Sequence, residues 1–163
     1  MFKIGDYIAH PMHGAGVIES IVTKKINGSQ RDYYVLKLPV GDMVVMVPVS
    51  GCENIGVRSI ISRSEAEKLF SAFSEIEISM TQNWNKRYRE NMDKIKSGNL
   101  LDVASVVKGL MCRDSERGLS TGERKMLHNA RQILLSEVVL AEDVEYADAE
   151  ARVNAAMMAE ESA

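Results

Sequence analysis

His10 and His13 stand three residues apart in the run His10-Pro11-Met12-His13-Gly14, a spacing that can offer two imidazoles to one metal ion. A metal site needs a third and a fourth donor. No nearby Asp, Glu or Cys is placed to supply them, so a hydrogen-bonded turn is the expected role and neither a metal nor another cofactor is expected. Gly14-Ala15-Gly16 leads into a strand pattern, so no helix N-terminus follows it to cradle a phosphate. Cys52 and Cys112 share no Cys-x-x-Cys or Cys/His spacing and are read as reduced structural thiols. No serine is read as a nucleophile and no carboxylate pair as an acid and base, so the chain is not expected to be an enzyme.

A different chemistry is written into Asn83-Trp84-Asn85-Lys86-Arg87-Tyr88-Arg89-Glu90-Asn91. At helical spacing, Tyr88, Met92 and Ile95 share the face of Trp84, whereas Lys86, Arg89 and Lys96 form a basic flank. Trp84 is the only tryptophan of the chain and falls on the first turn, where it can project past the packed stripe. Such an indole can stack on an unpaired base while Lys86, Arg87 and Arg89 hold phosphates. The plainer reading makes Trp84 a core anchor and the cations a solvated face. Arg124 and Lys125, at the start of a later helix, form a second basic cluster with the same two readings.

These residues need a scaffold, and its pattern changes along the chain. Residues 1–60 carry short runs rich in Val, Ile and Tyr, punctuated by turn residues, which predicts a small Tudor- or SH3-like bent β-sheet or barrel. Asn27-Gly28 supplies positive φ at both central hairpin positions, so Ile21–Ile26 is expected to pair antiparallel with Tyr33–Leu38. Pro39-Val40-Gly41-Asp42 should turn into a strand over Met43–Val47, stopped by Pro48. Residues 61–82 are read as a connecting helix, opened by the capping box Ser62-Arg63-Ser64-Glu65, and a linker from residue 74. Residues 83–163 form an all-α half, with helices from about Asn83 to Gly98, from Leu101 to Cys112, and from a second capping box at Ser120-Thr121-Gly122-Glu123. The end, Asp143 to about Ala159, is expected to be a partly frayed terminal helix with few large apolar groups to anchor it. The class is α+β with two domains.

The net charge of −3 hides a division: Glu142–Ala163 holds seven acids against Arg152 alone, while Asn83–Ala141 holds eleven bases against seven acids. Overall acidity therefore does not exclude nucleic acid as a partner. The N-terminus lacks the pattern of a signal peptide and no apolar run is long enough for a membrane helix, which predicts a cytoplasmic chain with no membrane partner.

Lys3-Ile4-Gly5-Asp6, His10-Pro11-x-His13-Gly14-x-Gly16, the Asn27-Gly28 hairpin and the stretch to Pro48 resemble the RNA polymerase interacting domain shared by CarD/CdnL proteins and transcription-repair coupling factors. Asn83–Asn91, Ser97-Gly98 and Arg113 through Leu134 resemble the CarD-type helical domain, so the likeness covers nearly the whole chain in order. It implies a monomeric transcription regulator that docks on the RNA polymerase β subunit by extending a sheet edge. Its polymerase contacts would fall on Lys24 and Ile26 and on the strand Val44, Val45, Met46; Met46 stands where some members carry a base, so that contact would be more apolar here. The family's tryptophan wedge, at the upstream fork of promoter DNA, corresponds to Trp84, and Arg89 and Arg124 match positions that hold the DNA backbone. A protein-interaction adaptor without DNA contact is the alternative.

Overall fold

The computed structural model describes residues 1–39, 43–78 and 81–158, without the side chain of Met158. The turn expected through Val40-Gly41-Asp42, part of the linker and the last residue of the terminal helix lie outside the described residues.

Five strands form one antiparallel sheet in the order β4-β3-β2-β1-β5: β1 Tyr7–His10, β2 Gly14–Ile26, β3 Ser29–Lys37, β4 Val44–Pro48 and β5 Arg58–Ser59. The edge strands β4 and β5 are not neighbours in that order, so this is a bent open sheet and not a closed barrel. Asn27 and Gly28 take φ 51° and 82°, as a two-residue hairpin turn requires, and this fixes Ile26 opposite Ser29 and Ile21 opposite Tyr34. The hairpin is as expected. Its register is not, because β3 begins directly after Gly28 and the partners of Ile21–Ile26 are Ser29–Tyr34. An irregularity between Ile18 and Ser20 leaves Glu19 unpaired and bends the sheet over Ile8, Ile18, Tyr34, Leu36 and Val47.

Five helices follow: α1 Arg63–Phe73, α2 Trp84–Lys96, α3 Leu100–Arg117, α4 Thr121–Glu142 and α5 Tyr146–Met158. The Ser62 capping box forms as expected. α1 does more than connect, since Leu69 and Phe73 belong to the helical core with Ile95, Val107, Leu110 and Leu134. The buried Lys108 of α3 ties down the end of α1 by donating from Nζ to Phe73 O (2.8 Å) and Ile76 O (3.3 Å). α5 is anchored, contrary to the expected fraying of its described part: Ala149, Val153 and Met157 recur every fourth residue and are all buried in the core. No helix among the described residues is long and apolar enough to cross a membrane.

The two halves are latched together. The Ala15 N–H donates to Ser136 Oγ on α4 (2.8 Å), and that hydroxyl donates to Ile133 O (2.8 Å). Arg58 of β5 clasps the buried Glu137 through Nη1 (2.6 Å) and Nη2 (3.0 Å), and the Ile61 N–H donates to the same carboxylate (2.9 Å). Arg58 also donates to Gly98 O at the end of α2.

Candidate nucleic-acid interface and sheet edge

Trp84 opens α2 behind the N-cap Asn83, whose Oδ1 accepts the Lys86 N–H (3.0 Å). Trp84 is 42% exposed as a residue, which rejects the core-anchor reading. Its indole lies over Tyr88 one turn on, with ring centroids 5.1 Å apart and planes inclined by 19°. Its Nε1–H donates to Ser120 Oγ, the N-cap of α4, at 3.0 Å. A Cβ added to Gly122 would sit 3.5 Å from Trp84 Cζ2, so the first turn of α4 floors the indole. The N-termini of α2 and α4 therefore meet at Trp84. Lys86, Arg124 and Lys125 are exposed within about a turn of that junction and Arg89 is exposed one turn further. Each helix start adds partial positive charge to these side chains.

Arg87 departs from its expected role. It is 2% exposed and forms an ion pair with Glu123, from Nε to Oε2 at 2.9 Å and from Nη2 to Oε1 at 3.3 Å. Its Nη1 donates to Thr81 O and Gln82 O, fixing the chain that enters α2. Four of the five N–H donors of this guanidinium are taken up inside the protein, and its burial keeps it from reaching a phosphate. Burial alone would raise the Glu123 carboxyl, but the hydrogen bonds and charge of Arg87, with Ser120 and Arg113 behind them, hold it below the ordinary carboxylate range. Glu123 thus turns to Arg87 instead of back to the Ser120 N–H, and only the Ser120 half of the expected capping box forms.

Two serine motifs run against a reading without serine chemistry. Gly118-Leu119-Ser120-Thr121-Gly122 has the Gly-x-Ser-x-Gly form of a nucleophile elbow, and Ser105 stands three residues before Lys108 as in a Ser–Lys pair. An elbow is a strained strand-to-helix turn, whereas Ser120 follows the helix α3 with an ordinary φ of −65° and ψ of 163°. Its oxygen serves Trp84 Nε1, the Glu123 N–H and Glu123 Oε1 (3.2 Å), which is a cap's work and not a nucleophile's. The Lys108 amine is directed at the carbonyl oxygens of Phe73 and Ile76, to which it donates.

The His10 turn is more than an isolated turn. His10 Nδ1 accepts the Met12 N–H (3.0 Å), the two rings lie 4.5 Å apart, and burial followed by the His13 charge pushes His10 down from its ordinary value. Among the described residues no three His, Cys, Asp or Glu come together as metal ligands. The turn's role, missed from sequence, is to dock Gly14 and Ala15 on α4.

On the sheet, β4 is an edge. Leu38 N–H donates to Met43 O and Val49 N–H to Asp32 O, so by antiparallel alternation Val45 and Val47 direct their peptide groups at β3 while Val44 and Met46 direct theirs outward. The register sets Met46 beside Val35 and Ser20, and Lys24 and Ile26 follow Ser20 at even spacing on the same face. Val44 (52% exposed), Met46, Lys24 and Ile26 thus share the outer face and are exposed. Val45 does not, because its side chain packs against the core under Leu36 and Val47.

Residues 2–61 match the family model described as CarD-like/TRCF RID domain, and residues 68–154 match the model described as CarD, C-terminal domain. The chain is also 38% identical over 138 residues to a Bacillus subtilis (strain 168) protein named "Putative transcription factor YdeB", an alignment covering 85% of this chain and 90% of that protein.

Proposed function

The chain belongs to the CarD/CdnL family of transcription regulators, and on that footing we propose that it binds the β subunit of RNA polymerase through the β4 edge and stabilises the open promoter complex through Trp84. The carrying observation is the half-exposed Trp84 held where two helix N-termini meet, with exposed cations within about a turn of each helix start. A wedge of this kind recognises unstacked, deformed DNA and phosphate, and needs no base readout. Lys86, Arg89, Arg124 and Lys125 supply the phosphate contacts. Free DNA binds weakly and loses affinity as salt rises, because those contacts release counterions. Docking on polymerase supplies the missing affinity as effective concentration.

The docking surface follows from the outward peptide groups of Val44 and Met46, which a partner strand can satisfy, with Lys24 and Ile26 extending the contact along the hairpin. Pro48 has no N–H and limits how far such pairing runs.

The test is open-complex lifetime on a promoter, with polymerase binding measured on the same full-length variants. Trp84→Ala shortens the lifetime and leaves polymerase binding intact. Met46→Asp, on the outer face, weakens polymerase binding without unfolding the chain. Loss of both properties in Trp84→Ala would refute the division of labour, and a lifetime indifferent to Trp84 would identify a protein adaptor instead.

A further inference from the structure

We infer that Ser120 and Glu123, with Arg87 behind them, are positioning residues for Trp84: a hydrogen-bonded chain from the indole N–H into a buried ion pair sets the angle at which the ring leaves the surface. The functional consequence rests on the proposed role of Trp84 at the fork. The geometry itself does not.

A side chain on the first residue of a helix has little beneath it to restrict its rotamer. Trp84 is nevertheless restrained on three sides, by Tyr88 under one ring face, Gly122 at one edge and Ser120 at the nitrogen. The Ser120 contact is directional. An ionised Glu123 is acceptor-only, so the Ser120 hydroxyl hydrogen goes to Glu123 Oε1 at 3.2 Å and the serine lone pairs are left for donors. One donor is the Glu123 N–H at 3.2 Å, which is the ordinary N-cap bond. The other is Trp84 Nε1–H at 3.0 Å, from a helix 36 positions away in sequence, and capping has no need of it. Glu123 cannot swing away from the serine, because its Oε2 is held by Arg87 Nε at 2.9 Å in a dry site. Arg87 is in turn fixed to the carbonyls of Thr81 and Gln82, just before α2 begins. The chain closes a loop from the entry of α2, through the start of α4, to the indole that projects between them.

An indole already set at its working angle loses less rotational freedom on contact with a base. Immobilising one large side chain commonly weakens association by about two- to tenfold, and the chain removes that loss in advance.

Because Trp84 is the only tryptophan, its fluorescence anisotropy and its quenching by acrylamide report the restraint directly in the free protein. Ser120→Ala should lower the anisotropy and raise the quenching, and Ser120→Thr, which keeps the hydroxyl, should restore both. Open-complex lifetime should fall about two- to tenfold in Ser120→Ala. Trp84→Phe still stacks but has no N–H, so adding Ser120→Ala to it should shorten the lifetime no further. Two results overturn the inference: an anisotropy unchanged by Ser120→Ala, or a lifetime shortened by the same factor in the Trp84→Phe background, which would trace the effect to helix capping. A Trp84→Ala lifetime equal to wild type, with the indole still freed by Ser120→Ala, would refute the proposed function and leave the positioning chain standing.

Discussion

One methyl group at Gly14 should loosen the joint between the halves. Gly14 opens β2 directly after the turn from β1, with φ 95°, and a Cβ built on it lies 2.5 Å from Ser136 Oγ and 3.3 Å from Ile133 Cα. Gly14→Ala therefore pays twice: about 1–3 kcal/mol for a side chain at that φ, and about 1–3 kcal/mol if Ser136 Oγ withdraws and leaves the buried Ala15 N–H unsatisfied. The expected loss is about 2–6 kcal/mol, read from urea unfolding followed by Trp84 fluorescence and by far-ultraviolet circular dichroism. Ser136→Ala alone leaves the same N–H unpaired and should cost about 1–3 kcal/mol. The double variant should cost less than the sum by at least about 1 kcal/mol, since the alanine at position 14 no longer has an oxygen to displace. Amide exchange at Ala15 should quicken in all three. A Gly14→Ala variant within about 0.5 kcal/mol of wild type, or a double variant equal to the sum, would show that the turn is not what latches α4.

Gly122→Ala should act in the other direction, because the new Cβ meets Trp84 at ordinary van der Waals distance inside a helix; a gain of about 0.5–1 kcal/mol with an unshifted Trp84 emission maximum is expected. Arg87→Ala should cost about 3–5 kcal/mol in chemical denaturation, since it strands the buried Glu123 carboxylate; a cost under about 1 kcal/mol would mean the pair is not dry. Two carboxyls should drive opposite pH dependences. Glu123 is held below its ordinary value, so its stabilisation is present above the unfolded-state glutamate range and is lost as pH falls through its folded value. Glu142 is pushed up by burial, despite Arg152 and with Glu67 adding to the rise. Its stabilisation is present in acid, below the unfolded-state range, and is lost as pH rises through its folded value. Midpoint temperature should therefore fall less steeply on the acid side in Glu123→Gln than in wild type, and Glu142→Gln should gain relative to wild type as pH rises toward neutrality.

What was legible in the sequence follows the range over which each signal acts. Asn27-Gly28 and the Ser62 capping box are decided by neighbouring residues, and both formed as read. The hairpin register differs from the expected one because a two-residue turn at Asn27-Gly28 leaves no room for further loop residues, so Ser29 must face Ile26. Arg87 was misread for a reason the sequence contains: it stands four residues before Asn91 and eight before Ile95, on the stripe that α2 buries, and Glu123 stands at the same phase before Met126 and Ala130 on α4. A base and an acid each at a buried phase signal a buried pair. No comparable signal marks the latch. Ser136 and Glu137 are ordinary helix residues until β1 and β2 are laid against them, and their partners lie 121 and 79 positions away. The buried stripe of α5 is weakly marked in the sequence because Ala149, Val153 and Met157, though evenly spaced, are apolar groups of unequal size that gain their meaning only from the core that receives them.

The latch also bears on how the proposed factor, with few phosphate contacts, would act at a promoter. Tethering raises effective concentration only when the tether delivers the second contact to its target, and the gain falls as the connection loosens. Here the β half and the helical half are joined by more than the chain between Ile61 and Trp84. The Arg58–Glu137 clasp, the Ala15–Ser136 bond and the Arg58–Gly98 contact all cross the joint, and the last ends at the C-terminus of α2, the helix that carries Trp84. A polymerase docked on β4 would then fix where the indole points without a flexible search. Loosening the joint should shorten the open complex even when each half keeps its own core and its own contact, so Gly14→Ala should lower the lifetime at temperatures where the variant remains folded and polymerase-bound. An unchanged lifetime under those conditions would mean that the two contacts act through an ordinary linker and that the rigid joint serves stability alone.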